Sequence, residues 1–258
     1  MKSLQTKLTV LILTALAVLA AHAAELATTQ PVEGTANGSK DDPHKWWRGN
    51  CQRIMTDIKK MDGQIDVAFV GDSINARWGT GGESWQKHWG SYRAVNMGIG
   101  ADMTQNVLWR LQNGQLDGYK AKLFVLMIGT NNLWDKQAEP ANVAAGVKAI
   151  IDLIKSKHPE SKILLMGILP TGEKPNPGRE KRAAVNDLIS KFADGGAVHY
   201  MDIGHKFLQP DGTISKEVMH DFLHLGAKGY DIWAEAIGSK VKEFVGGAQP
   251  KREAPPQK

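Results

Sequence analysis

The sequence predicts an α/β domain in which a parallel β-sheet is sandwiched between two layers of helices. Three observations predict it. Predominantly apolar runs recur at 66–70, 122–128, 163–169 and 197–203, with a shorter one at 93–97, the pattern of strands buried on both faces. Amphipathic helical stretches lie between them, and strand–helix alternation repeated five times implies a parallel sheet with crossovers packed on both sides. The residues able to do chemistry follow the ends of these runs. In such sheets a site forms beyond the carboxyl ends of the strands, where strand order reverses.

The elements follow in chain order. Lys2 and Lys7, the apolar stretch Leu8 to Ala20 and then Ala21-His22-Ala23 have the layout of a cleaved secretory signal over residues 1–23. The apolar stretch is too short to span a bilayer comfortably, and no cysteine stands at the cleavage point to carry a lipid. The expected location is therefore secreted or periplasmic, with no stable membrane anchor. Residues 24–43, rich in Thr, Gly, Asp and Pro, read as a flexible leader with one glycosylation sequon, Asn37-Gly38-Ser39. The folded domain is expected over 44–246, and a polar, Pro-containing, disordered tail over 247–258.

Within the domain, Trp47, Cys51, Ile54, Met55 and Ile58 mark the apolar stripe of a first helix. Cys51 is the only cysteine, so no intramolecular disulfide forms, and its place on the stripe makes it a core thiol. Trp78, Trp85 and Trp89 come soon after the first strand; they either belong to the core or line a wall for sugar or lipid. Val143, Val147, Ile150, Ile151 and Ile154 form one later helical face, Val185, Leu188, Ile189 and Phe192 a second, and Tyr230, Trp233, Ile237, Val241 and Phe244 the last. The net charge is +5, or +3 without Lys2 and Lys7, too mild and dispersed to point to nucleic acid or an anionic membrane.

Four segments at strand ends carry candidate chemistry. Gly71-Asp72-Ser73-Ile74 puts Ser73 in a strand-to-helix turn, where free N–H groups and the helix dipole favour a developing anion; a plain helix cap is the other reading, and Asp72 reads as support for the turn. Asn96-Met97-Gly98-Ile99-Gly100-Ala101-Asp102 has Met103 where a dinucleotide fingerprint needs glycine, so no cofactor is expected. Its small residues expose backbone N–H groups, and Asp102 with Gln105 would cap the helix that follows. In Gly129-Thr130-Asn131-Asn132 an Asn side chain can donate to an oxyanion or simply occupy a turn. In Asp221-Phe222-Leu223-His224 a carboxylate three residues before an imidazole can fix its tautomer and stabilise its protonated form. His220, with Glu217 three residues before it, is the rival base. His88, His158, His199 and His205 show no metal-ligand spacing, and no metal is expected.

The order Ser, small-residue loop, Asn, Asp-x-x-His resembles the SGNH (GDSL-type) hydrolases. Phe69-Val70-Gly71-Asp72-Ser73, Asn106-Val107-Leu108-Trp109-Arg110-Leu111, Gly129-Thr130-Asn131-Asn132, Gly172-Glu173-Lys174-Pro175-Asn176-Pro177 and Asp221-Phe222-Leu223-His224-Leu225 look like the catalytic subunits of platelet-activating-factor acetylhydrolase type IB, over roughly residues 40–245. The resemblance implies a flavodoxin-like three-layer α/β/α sandwich on a five-stranded parallel sheet. It implies Ser73 as nucleophile, His224 as general base and then acid, and Asp221 as the residue orienting His224. The oxyanion hole it implies combines the Ser73 N–H, the N–H of Ala101 and the Asn131 side chain. Ala101 stands where the family pattern usually has glycine; a negative φ there would let alanine serve, and a positive φ would strain it.

The resemblance also implies that Ile74, Thr130 and Leu223, at positions that shape a small acyl pocket in those acetylhydrolases, do so here, so acetyl and other short acyl esters are the expected substrates. Carbohydrate acetyl esters, small or polymeric, are favoured on the alcohol side because of the expected secretion. The alternatives are a lipid acyl hydrolase and a non-catalytic carbohydrate-binding module on the same fold. The resemblance leaves a homodimer open and carries over no other partner.

Overall fold

The computed structural model describes residues 28–79 and 82–246. The stretches read as a signal and as a disordered tail lie outside these residues. Five parallel strands form one sheet: β1 (Gln64–Gly71), β2 (Ala94–Gly98), β3 (Lys120–Met127), β4 (Lys162–Met166) and β5 (Val198–Met201), in the order β2-β1-β3-β4-β5. The helices are α1 (Lys45–Lys59), α2 (Ser73–Ala76), α3 (Glu83–Trp89), α4 (Thr104–Arg110), α5 (Pro140–Lys157), α6 (Pro177–Ile189) and α7 (Ala227–Val245). The predicted sheet and alternation are those observed.

The sheet divides the core in two, because successive side chains of a strand point to opposite faces. Ala68 and Val70 of β1 pack with Trp47, Ile54, Val107, Val147 and Ile150 from α1, α4 and α5. Val67 and Phe69 pack with Trp85, Trp89, Trp233 and Ile237 from α3 and α7. Trp78, Trp85 and Trp89 are each at most 3% exposed and ring Phe69 edge-on or tilted at 5.1–5.5 Å. They are core, and the wall reading is excluded for them. Cys51 packs against the first cluster, and burial pushes its thiol up to about 12, so it offers no thiolate near neutral pH.

The leader segment is tied down at several points. Val32 N–H donates to the Gln105 carbonyl at 3.2 Å, Glu33 pairs with Arg48 at 2.6 Å, and Thr104 Oγ1 donates to the Thr28 carbonyl at 3.0 Å.

Topology positions the site. The chain leaves β1 for β2 on one side and then crosses back to β3 on the other, so strand order reverses between the carboxyl ends of β1 and β3. Ser73 follows β1 and Asn131 follows β3.

Candidate active site

Gly71 ends β1 because nothing larger fits: a Cβ there would strike the Met127 carbonyl of β3 and the Asn75 side chain. Asp72 caps α2, its Oδ1 accepting from the Ile74 N–H at 2.9 Å. Ser73 is the first residue of α2, so its own N–H has no intrahelical acceptor. Four residues make too short a helix to hold itself, and the turn is clamped from outside. Tyr230 of α7 donates its hydroxyl to the Ile74 carbonyl at 2.8 Å and stacks on Trp78 at 5.0 Å.

The loop before α7 brings the partners. His224 Nε2 lies 3.0 Å from Ser73 Oγ, and His224 Nδ1 lies 2.7 Å from Asp221 Oδ2. The backbone N–H groups of Leu223 and His224 donate to Asp221 Oδ1 at 3.1 and 2.7 Å. Burial alone would raise the Asp221 carboxyl, but the His224 ring and these N–H groups together hold it well below the usual carboxylate range. Asp221 therefore stays anionic and fixes the His224 tautomer with Nε2 turned to Ser73. His220 reaches Asp221 only at 3.6 Å and stacks beside His224 at 6.4 Å; the Ser73 hydroxyl is met by His224. His88, His158 and His199 bond Asp231, the Leu116 carbonyl and the Gly196 carbonyl.

The other predicted residues lie in the loops that follow β1, β2 and β3 and beside His224, at the same edge of the sheet. Asn131 Nδ2 donates to the Asp102 carbonyl at 2.9 Å, which leaves its second amide hydrogen free. The Ala101 N–H meets no backbone acceptor among the described residues. Ile74 and Leu223 pack in one apolar cluster and Thr130 is buried beside Asn131.

Backbone strain gathers here. Four described residues other than glycine have positive φ: Asn37, Asp62, Ala101 and Phe222. Asn and Asp tolerate that region. Ala101 at φ 62° and Phe222 at φ 58° do not, and both lie in the loops that carry the site. Phe222 is pinned by the Gly172 N–H donating to its carbonyl at 2.8 Å. Ala101→Gly is accordingly expected to raise stability by about 1 kcal/mol in urea unfolding. A loss of about 0.5–1 kcal/mol, ordinary for glycine in place of alanine, would show that the position is not left-handed.

Asp102 corrects one expectation. Its carboxylate does not cap α4. Oδ1 accepts from Trp47 Nε1 at 2.6 Å and Oδ2 from Arg110 Nε at 2.8 Å, and the two charged side chains have no exposure. A buried cation outcompetes a helix terminus for a carboxylate. Asn106 and Asn132 take over the cap: the Met103 N–H donates to Asn106 at 2.8 Å and the Thr104 N–H to Asn132 at 3.1 Å. Arg110 also donates to the Gly71 carbonyl at 3.1 Å and to Gln115 at 2.7 Å. This buried group joins the end of β1, the 98–103 loop and Asn131, and sequence reasoning missed it. The available signal was a charged residue amid Val107, Leu108 and Leu111.

Asp72 is a further buried carboxylate, and among the described residues its Oδ2 has no partner. Burial pushes it up to about 7, with the Ile74 N–H pulling the other way. The folded value lies above the unfolded 3.8, so this group's stabilising contribution is complete below about pH 4 and is lost as pH rises through about 7. Asp72→Asn keeps an acceptor for Ile74 and cannot ionise. It is expected to flatten the fall in thermal midpoint between about pH 4 and pH 7; an unchanged slope would show that Asp72 is already ionised across that range.

Among the described residues no group of His, Cys, Asp and Glu is placed to hold a metal, and no helix is long and apolar enough to cross a membrane.

Comparison with known proteins agrees with this geometry. A family model described as GDSL-like lipase/acylhydrolase matches residues 69–232. The platelet-activating factor acetylhydrolase IB subunit alpha2 of Rattus norvegicus is 43% identical over 188 residues, covering 71% of this chain and 78% of that protein. The alpha1 subunit of Bos taurus is 36% identical over 200 residues, covering 77% and 84%. A solved carbohydrate acetylesterase from Sinorhizobium meliloti shares the fold, with a TM-score of 0.55 at 20% identity over 69% of this chain and 99% of that one. The relatives overturn the expected secreted or periplasmic location, since they are intracellular enzymes. With a matched family model over more than half its length and relatives well above 30% identity, the chain belongs to the GDSL-like lipase/acylhydrolase family and is an ester hydrolase.

Proposed function

We propose that this ester hydrolase removes acetyl and other short acyl groups by a serine acyl-enzyme mechanism. The observation that carries this is the unbroken chain of hydrogen bonds from Ser73 Oγ through His224 to Asp221, at the point where strand order reverses. Ser73 Oγ attacks the ester carbonyl carbon while His224 Nε2 takes its proton. The tetrahedral oxyanion is held by the N–H groups of Ser73 and Ala101 and by Asn131 Nδ2. Protonated His224 gives its proton to the leaving alkoxide, and the alcohol departs. Water, deprotonated by His224, then attacks the acyl-enzyme and releases the acid. Asp221 stays anionic throughout and stabilises the imidazolium.

Ile74, Thr130 and Leu223 bound the acyl group in this reading. Each further methylene would gain about 0.8 kcal/mol only where there is room to bury it. A series of p-nitrophenyl esters is expected to run fastest with acetate and to fall with chain length. Preference for octanoate would refute the small pocket.

On the alcohol side, carbohydrate acetyl esters lose the support that secretion lent them and need another. The names of the mammalian relatives favour an acetylated lipid as the second reading. A non-catalytic module is disfavoured by the intact hydrogen-bonded set at Ser73.

A further inference from the structure

We propose that the cavity beside Asn131, built on Trp134, Gln137, Glu139 and Asn142, is the subsite for the alcohol part of the ester and takes a hydroxylated ring such as a sugar. The proposal rests on the ester-hydrolase reading above and names its substrate class.

The cavity holds about 540 Å3, within the range of sites for small ligands. Asn131, the donor assigned to the oxyanion, is part of its lining, while Ser73 and His224 are not, so the cavity adjoins the site on its oxyanion side. Trp134 follows three residues later in a short 3-10 turn, Asn132–Trp134. It is 57% exposed, the most of any large apolar side chain among the described residues. The ring is held in place. The buried Arg182 guanidinium packs against one face at 5.5 Å, which leaves the other face as an open platform. Lys181 Nζ donates to the carbonyls of Lys136 and Ala138 at 2.6 and 3.2 Å and so fixes the loop after it.

The polar lining falls into two kinds. Gln105 and Asn132 are committed to Thr104 and to each other. The side chains of Gln137, Glu139 and Asn142 make no hydrogen bond within the described residues. A flat aromatic ring sharing one cavity with uncommitted amide and carboxylate groups suits a ligand with an apolar ring face and hydroxyls at its edge. An alkyl chain would desolvate those groups without pairing them. No Lys or Arg lines the cavity, whereas Asp135 and Glu139 do, so an anionic alcohol would meet like charge.

The test compares three acetyl esters: ethyl acetate, an acetylated methyl xyloside, and an acetylated glycerophosphocholine. The wild type is expected to prefer the xyloside. In Trp134→Ala the ratio of kcat/KM for the xyloside to that for ethyl acetate is expected to fall at least about tenfold, mainly through KM. A ratio that stays constant in Trp134→Ala, or a wild type that prefers ethyl acetate or the phospholipid, overturns the sugar subsite. If the wild type hydrolyses none of the three, the short-acyl reading fails instead. The subsite is then read directly by NMR titration of Ser73→Ala with free methyl xyloside: binding that Trp134→Ala abolishes supports it, and no binding overturns it.

Discussion

Ser73→Ala is expected to lower kcat on p-nitrophenyl acetate by about 10^4- to 10^6-fold, the range for removing the nucleophile of a serine hydrolase. The effect is large because the substitution removes the acyl-enzyme itself. Water must then attack directly, with only the oxyanion donors left to help. The fold should not notice. Among the described residues Ser73 Oγ bonds only His224, and the turn is held by Asp72, Tyr230 and the backbone bond from the Arg77 N–H to the Ser73 carbonyl at 2.9 Å. Unfolding free energy should therefore stay within about 0.5 kcal/mol of wild type. A fluorophosphonate that phosphonylates activated serines should add its mass to the peptide containing Ser73 in the wild type and not in the variant. Unchanged turnover together with labelling elsewhere would sink the assignment.

Arg110→Met should have the largest effect on stability, a loss of about 3–5 kcal/mol. The substitution nearly preserves the volume of the side chain but leaves Asp102 buried without its cation. Burial already pushes the Asp102 carboxyl up to about 6 against the pull of Arg110, and with that pull gone the group is expected to bind a proton near neutral pH. The Gly71 carbonyl and Gln115 lose donors in the same change. For a domain of this size the loss corresponds to roughly 6–20 °C in thermal midpoint. Arg110→Met combined with Asp102→Asn should recover part of it, since the second change removes the unpaired charge and keeps an acceptor for Trp47. A single-variant loss under about 1 kcal/mol would show that the pair is solvated in a way its complete burial does not suggest.

Much of the fold and of the candidate active site could be read without a structure, for identifiable reasons. A strand buried on both faces is apolar over most of its length, so β1, β3 and β4 stand out through the apolar runs 67–70, 123–128 and 163–166. Parallel strands put their carboxyl ends on one edge, and the residues that follow those ends meet there whatever helices lie between. Ser73 and Asn131 could be named as candidates from that logic, and Asp221 and His224 from their place before the last helix; their roles came from the resemblance carried by the order of the four segments. Their convergence needed no knowledge of distances. The helical faces were legible for the related reason that a period of 3.6 survives in any amphipathic helix.

The remaining features arise between residues far apart in the chain, and no local pattern encodes such contacts. Trp47 and Asp102 are 55 residues apart, Arg110 and Gly71 39, Tyr230 and Ile74 156. The tryptophans after Ser73 are core because Phe69 and α7 close over them, whereas Trp134 is exposed because its turn sits at the rim; composition treats all of them alike. The sign of φ at Ala101 is likewise a property of the loop as folded around Asp102. By itself, then, the sequence determined the α/β sheet, the edge on which the site forms and the side chains brought there, because period and strand ends are local. Only the tertiary structure decided the strain at Ala101, the buried Asp102–Arg110 pair and the open face of Trp134, because each depends on which distant groups are excluded from water together.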